Sequence, residues 1–90
     1  MQNEHQYSKK FLKQLSKIPF DTRKKIEDFV FVEMLSITHF ENSGKIEKMK
    51  GYKNYYKIRF GAYRVGIQKI GNNLIFKIVL HRKDIYNYFP

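Results

Sequence analysis

The apolar residues change their spacing once along this chain, and that change limits what it can fold into. Up to about residue 37 they recur at helical intervals; after residue 54 they alternate. Ser8 reads as the N-cap of a first helix with Phe11, Leu12, Leu15 and Ile18 on one face, stopped by Pro19. Asp21 reads as the next N-cap, its carboxylate accepting backbone N–H groups and complementing the helix dipole. A second helix is expected from Asp21 to Ile37. Ile26, Val30, Met34 and Ile37 form its main stripe, Phe31 and Leu35 lie on the far side, and Phe29 and Val32 fall between. An apolar surface that wide is either buried on two sides or covered by a partner. Asn42-Ser43-Gly44 ends the helical region.

Further on, Tyr56, Ile58 and Phe60 alternate with Tyr55, Lys57 and Arg59, the pattern of a half-buried strand. Gly61-Ala62 suits a two-residue hairpin turn of type II′. Tyr63, Val65 and Ile67 then alternate with Arg64, Gly66 and Gln68. Gly71-Asn72-Asn73 marks another turn, and Leu74 to Leu80 is apolar on both faces except at Lys77, as in a central strand. His81 to Pro90 reads as a short final helical turn. Residues 2–7 carry almost no apolar side chains and leave an added edge strand undecided. The expected class is α+β: two N-terminal helices packed on a small antiparallel sheet, a three-stranded meander, in one domain spanning residues 1–90.

The charge is as uneven as the periodicity. Of 90 residues, 18 are Lys or Arg and 8 are Asp or Glu, a net of +10. Residues 1–44 hold seven of those cations and six of the acids, whereas residues 45–90 hold eleven cations against Glu47 and Asp84. A Lys-rich solvated surface is the plain explanation of a basic protein. A field this lopsided is more often a binding surface for a polyanion or an acidic partner.

Other classes fall away. There is no cysteine, hence no disulfide framework, thiolate nucleophile or Cys-type zinc site. The apolar run Phe29–Val32 is far short of the roughly 18 residues that span a bilayer, so no membrane partner is expected. Met1 to Gln6 is polar and unlike a secretory signal, so a cytoplasmic protein is expected. No G-x-S-x-G, P-loop, H-E-x-x-H or G-x-G-x-x-G motif occurs. His5, His39 and His81 are too scattered for a metal site, and neither metal nor other cofactor is expected.

If Gly61-Ala62 closes the hairpin, Phe60 pairs with Tyr63, Arg59 with Arg64 and Ile58 with Val65. Lys57, Arg59 and Arg64 then share one face, with Tyr55 beside them as a platform for base stacking. Like charges directly opposite each other destabilise a sheet, and guanidinium groups bind phosphate in bidentate fashion. Three solvated surface cations are the alternative, and spacing alone does not separate the two. Of the histidines, only His81 lies within reach of this cluster as an acid–base candidate.

Taken together, these residues resemble the RelE/ParE superfamily of toxins from bacterial and archaeal toxin–antitoxin systems. The resemblance runs through Ser8-Lys9-Lys10-Phe11-Leu12-Lys13-Gln14-Leu15 and Glu47-Lys48-Met49-Lys50-Gly51. It is strongest over Tyr56-Lys57-Ile58-Arg59-Phe60-Gly61-Ala62-Tyr63-Arg64-Val65 and His81-Arg82-Lys83-Asp84-Ile85-Tyr86. It implies a metal-independent endoribonuclease that cuts mRNA in the ribosomal A site and so inhibits translation. The 2′-hydroxyl attacks the adjacent phosphorus, with lysines and arginines in place of a His/Glu pair. Carried over by motif, Lys57 is the base or part of it and Arg64 stabilises the phosphorane. Arg82 stabilises it or acts as acid, and Tyr86 stacks on or orients the substrate. Arg59 stands where RelE has a second lysine, and a guanidinium stays protonated, so Arg59 is not a base. An amine acts as base only where neighbouring cations favour its neutral form, the setting Arg59 and Arg64 would provide.

Some relatives use instead a Glu in a "PExLKG"-like segment, which Glu47 to Gly51 resembles, with His81 as acid. The base is then Glu47 or Lys57. Lys50, Lys53, Tyr55 and Lys83 are expected to contact RNA. The implied partners are the ribosome with its mRNA and a cognate antitoxin. That antitoxin is expected to be an acidic, partly disordered segment that folds on binding, with operator DNA bound only by the toxin–antitoxin complex. Two other functions compete: a ParE-like toxin that inhibits DNA gyrase without nuclease activity, and a nucleic-acid-binding module without catalysis.

Overall fold

A computed structural model of the chain describes residues 4–36 and 44–90. The expected helix end at Ile37, His39 and the Asn42-Ser43 break lie outside the described residues. Strand β1 (Glu4–Tyr7) leads into helix α1 (Lys9–Leu15) and helix α2 (Phe20–Asp28), which runs on through a π-helical turn (Phe29–Glu33) into the short α3 (Met34–Ser36). Strands β2 (Ile46–Lys48), β3 (Tyr55–Phe60), β4 (Tyr63–Ile70) and β5 (Asn73–His81) follow, and α4 (Arg82–Ile85) closes the chain. The strands form one sheet in the order β1-β5-β4-β3-β2.

The class is the expected α+β, but the sheet exceeds the antiparallel meander by two edge strands. β1 pairs parallel to β5, His5 opposite Leu74, so the sheet is mixed. β2 pairs antiparallel to β3, Ile46 opposite Ile58 and Glu47 opposite Lys57. Neither edge announces itself by alternation, because a three- or four-residue edge strand needs few buried side chains. The β3–β4 register follows the expected hairpin, with Arg59 opposite Arg64 and Phe60 opposite Tyr63. Gly61 takes φ +55°, the left-handed value a II′ turn requires at that position.

The helices cover one face of the sheet. Ser8 caps α1 as expected, its Oγ accepting the Phe11 N–H at 3.0 Å. Phe11, Leu15 and Ile18 are buried, whereas Leu12 points away and is 46% exposed. Asp21 does not cap α2: Pro19 does so, its carbonyl accepting the Arg23 N–H at 2.9 Å, which puts Asp21 in the first turn. The Asp21 carboxylate still lies at the positive end of the helix. In the π-helical turn the Met34 N–H reaches the Phe29 carbonyl five residues back. Ile26, Phe29, Val30 and Met34 turn inward, leaving Val32 and Leu35 exposed. They meet Tyr56, Ile58, Phe60, Val65, Ile67, Leu74, Phe76 and Val79 in the main core.

β5 serves both faces because it is bulged. Ile67 pairs with Phe76 and Gly66 with Ile78, so Lys77 is an extra residue with no partner on β4. Before the bulge, Leu74 and Phe76 face the helices; after it, Val79 does, while Ile78 and Leu80 face the other way. α1 clasps the irregularity with two side chains. Ser8 Oγ donates to the Lys77 carbonyl at 2.9 Å, and Gln14 Oε1 accepts the Val79 N–H at 3.0 Å. Backbone groups that the bulge displaces are thereby satisfied.

On the opposite face Met49, Ile78, Ile85 and Phe89 make a second, smaller core, with Tyr55 and Leu80 packed at its edge. The C-terminal segment thus folds back across the open side of the sheet. No helix among the described residues is long and apolar enough to cross a membrane.

Candidate functional site: a basic cleft beneath the C-terminal segment

The face that carries the second core also carries the cations. Alternation on β3 buries Tyr56, Ile58 and Phe60 against the helices and therefore presents Lys57 and Arg59 on the other side. The neighbouring β4 adds Arg64 opposite Arg59, and β2 adds Glu47 opposite Lys57. Each cation has found a local partner. Arg59 Nη2 lies 3.2 Å from Glu47 Oε1, an ion pair open to solvent. Arg64 folds its guanidinium onto the hairpin turn, Nη1 donating to the Gly61 carbonyl at 2.7 Å and to the Tyr63 carbonyl at 2.9 Å. The two facing arginines are so drawn apart, one toward β2 and one toward the turn, which relieves their repulsion.

Lys57 Nζ donates to Tyr86 Oη at 2.8 Å and sits 5.1 Å from the centre of the same ring. An exposed cation–π contact of this kind contributes roughly 0.5–1 kcal/mol. Tyr86 reaches Lys57 because Ile85 and Phe89, on either side of it, are buried at 2% and 5% exposure. α4 begins at the same hairpin: the Arg82 N–H donates to the Ala62 carbonyl at 2.7 Å. The turn is therefore shared, its carbonyls taken by Arg64 and by the backbone of Arg82. The Arg82 guanidinium is exposed and has no hydrogen-bond or ion-pair partner among the described residues.

Glu47, Lys50, Tyr52, Lys57 and Tyr86 line an open cleft of about 360 Å³. A depression of about 490 Å³ adjoins it, lined by residues 48–53 and so including Lys48, Lys50 and Lys53. Four lysines and one carboxylate across these two surfaces make a polyanion the natural occupant. Among the described residues no three His, Asp or Glu side chains group together as metal ligands do.

Residues 6–86 match the family model described as ParE toxin of type II toxin-antitoxin system, parDE. The chain belongs to the RelE/ParE toxin superfamily. It is a toxin of a type II toxin–antitoxin system. It is 45% identical over 86 residues to Toxin RelE3 of Methanocaldococcus jannaschii, a match that covers 93% of this chain and 96% of that one. Among solved structures, the RelB–RelE antitoxin–toxin complex from Methanococcus jannaschii aligns with a TM-score of 0.78 at 42% identity, over 94% of this chain and 99% of that one. A mutant of E. coli toxin RelE in the free state aligns at 0.73 and 22% identity, over 98% and 92%, a likeness of fold.

Of the site residues expected for this toxin, Lys57, Arg59, Arg64, Tyr86 and Glu47 come together on one face, with Arg82 at its edge. Lys50 and Lys53 flank the cleft. Lys83 is exposed on α4, where its N–H is taken by His81 Nδ1 at 3.1 Å. Tyr55 is half-buried, its ring edge-on to Phe89 with centroids 5.4 Å apart, so part of it already props the C-terminal segment. Tyr52, 51% exposed, stands outside it.

His81 is not brought to the cluster. It pairs with Tyr63 on β4, its ring 5.6 Å from the Tyr63 ring, on the side of the sheet that faces the helices. Three strand spacings separate it from β2, about 14 Å in all, too far to pair with Glu47 across one phosphate. The reading from sequence missed Gly66, Ile78, Ile85 and Phe89, which support the site without entering it, and Met49, which belongs to the second core and also lines the cleft. A Gly in a strand interior was the available signal, since such a residue often marks a close approach of other atoms.

Proposed function

We propose that the toxin is a metal-independent mRNA endonuclease that acts in the A site of the ribosome and so inhibits translation in the cytoplasm, residues 1–90 acting as one toxin domain. The observation that carries this reading is the Lys57–Tyr86 pair, held at 2.8 Å in a lysine-lined cleft one strand away from Arg64. Lys57 takes the proton from the 2′-hydroxyl, whose oxygen bonds to the adjacent phosphorus. The P–O5′ bond breaks, the leaving oxygen receives a proton, and a 2′,3′-cyclic phosphate and a 5′-hydroxyl result. Arg64 stabilises the charge that grows on the phosphoryl oxygens, and Arg82 stabilises it or delivers the proton. Arg59, steadied by Glu47, binds an adjacent phosphate. Tyr86 stacks on or orients the nucleotide, and Lys50, Lys53, Tyr55 and Lys83 contact mRNA or ribosomal RNA. His81, turned away from the cleft, has no step in this scheme.

The test is cleavage by purified toxin with and without ribosomes programmed with a defined A-site codon. Cleavage should require the ribosome, and Arg64→Ala should lower its rate by about 10²–10³. Arg82→Ala should lose activity as well. Loss merely in proportion to the charge removed would indicate a binding module without catalysis.

The match to the ParE toxin model favours one further reading, gyrase inhibition without nuclease activity. Inhibited supercoiling together with intact mRNA would establish it. In either reading the toxin is held by a cognate antitoxin. The solved relatives include RelB–RelE complexes, and this chain exposes Phe20, Val32 and Leu35 around its helices as well as the basic cleft. An acidic, partly disordered segment that folds as it binds would cover both. Operator DNA would be bound only by the resulting complex.

A further inference from the structure

The residue that contacts Lys57 is itself poorly secured. Tyr86 is 58% exposed, Tyr88 two residues on is 64% exposed, and α4 spans only four residues, too few to hold a position by helical bonds alone. What fixes the segment lies on either side of Tyr86: Ile85 buried before it, Phe89 buried after it. Phe89 closes the turn with its N–H on the Ile85 carbonyl at 2.8 Å and lays its ring on Gly66. A Cβ built at Gly66 would lie 2.8 Å from Phe89 Cδ2 and Cε2 and from Ile78 Cγ2, closer than real Cβ atoms approach. Gly66 is not among the glycines with positive φ, so space and not backbone conformation demands a glycine there. The bare strand is a seat for one ring, with the edge of Tyr55 as its wall.

We propose that Phe89 is a positioning residue for the reaction: seated on Gly66, it holds Tyr86 against Lys57. The proposal rests on the nuclease reading above for its effect on rate, and on geometry alone for the contact. Without Phe89 the segment pivots about Ile85, and the Tyr86 ring swings off Lys57. Arg82, on the other side of that pivot and bonded to Ala62, stays where it is. A misplacement of about 1 Å in a group that orients substrate costs on the order of a hundredfold in rate.

The experiment compares the full-length toxin with Phe89→Ala, Phe89→Leu and Gly66→Ala. Nuclear Overhauser contacts between the Tyr86 ring and the Lys57 side chain report the seat directly. Amide exchange at Arg82 and in β4 and β5 reports the rest of the fold, and multiple-turnover cleavage with programmed ribosomes in excess over toxin gives kcat and KM. In Phe89→Ala and Gly66→Ala the Tyr86–Lys57 contact should vanish, and kcat should fall on the order of a hundredfold at unchanged KM. Protection at Arg82 and in the strands should persist. Phe89→Leu, which refills most of the volume, should recover both contact and rate. The proposal is overturned if Phe89→Ala keeps the contact, or loses it at full kcat, or loses strand protection as well and so marks a general core residue. Should the unmutated toxin cleave nothing, the nuclease reading fails while the contact measurement still decides whether the seat exists.

Discussion

The two faces of the sheet are built to different standards. On the helix side, sixteen buried residues of the described chain form one cluster, with Phe11, Ile26, Ile58, Phe76 and Val65 among those fully enclosed. On the other side only four residues do the same work, and two of them, Ile85 and Phe89, belong to the C-terminal segment itself. The first face is thick enough to fold the protein, while the second is only thick enough to hold a few side chains over a row of cations. The cations sit on the thin side, where a charged cleft stays open to solvent and to a large ligand.

Substitutions on each face should therefore separate stability from activity. Phe76→Ala empties the centre of the thick face and should cost about 3–5 kcal/mol, much of the total for a domain with roughly 5–15 kcal/mol to lose. Denaturant titration reads it, and an unchanged midpoint would dissolve the distinction drawn here. Lys57→Met should lower cleavage by about 10²–10⁴ and leave the denaturation midpoint close to that of the unmutated chain. A parallel loss of stability would mean that the cation is structural. Ile85→Ala lies between the two cases. It should cost about 2 kcal/mol, at the low end for such a change because the thin cover can relax, and should also slow cleavage. Glu47→Gln breaks an exposed ion pair and should change stability by less than about 1 kcal/mol. Its effect on rate should be far smaller than that of Lys57→Met; the reverse order would make Glu47 the base.

The smallest effect concerns His5 on β1. Its ring is edge-on to Phe76 at 5.9 Å, and its Nδ1 is buried without a partner among the described residues. Burial holds its pKa below the usual 6.5. The folded state therefore takes up a proton less readily than the unfolded chain. This contribution to stability is intact above pH 6.5 and declines as pH falls below it. Melting temperature followed from pH 7 downward should drop less in His5→Gln than in the parent, and identical slopes would remove His5 from the account.

The legible parts of the molecule are those where local pattern and local geometry coincide. The Gly61-Ala62 turn together with alternation on both sides leaves one register for β3 and β4, and hence the facing arginines. Ser8 declared itself as a cap for the same reason. The start of α2 did not, because Pro19 already occupies the capping position and displaces Asp21 inward. β1 was illegible because its pairing with β5 is non-local, and β2 because its three residues bury only Ile46. The seat of Phe89 on Gly66 joins residues 23 apart in sequence through nothing more than a missing side chain. No period in the sequence encodes that contact.

The bulge at Lys77 accounts for the misplaced histidine. Strict alternation from Leu74 would put Ile78 and Leu80 under the helices and turn His81 toward the cations. One unpaired residue works on a strand as an inserted base works on a reading frame: all that follows is read out on the opposite side. In this chain the shift sends Ile78 and Leu80 to the second core, on the side that carries the cleft, and turns His81 to the other side. A strand that paired Lys77 with Gly66 would exchange the duties of the two sides for every residue from there to the start of α4, whereas deleting Lys77 would flatten the bulge and leave those residues on the sides they hold now.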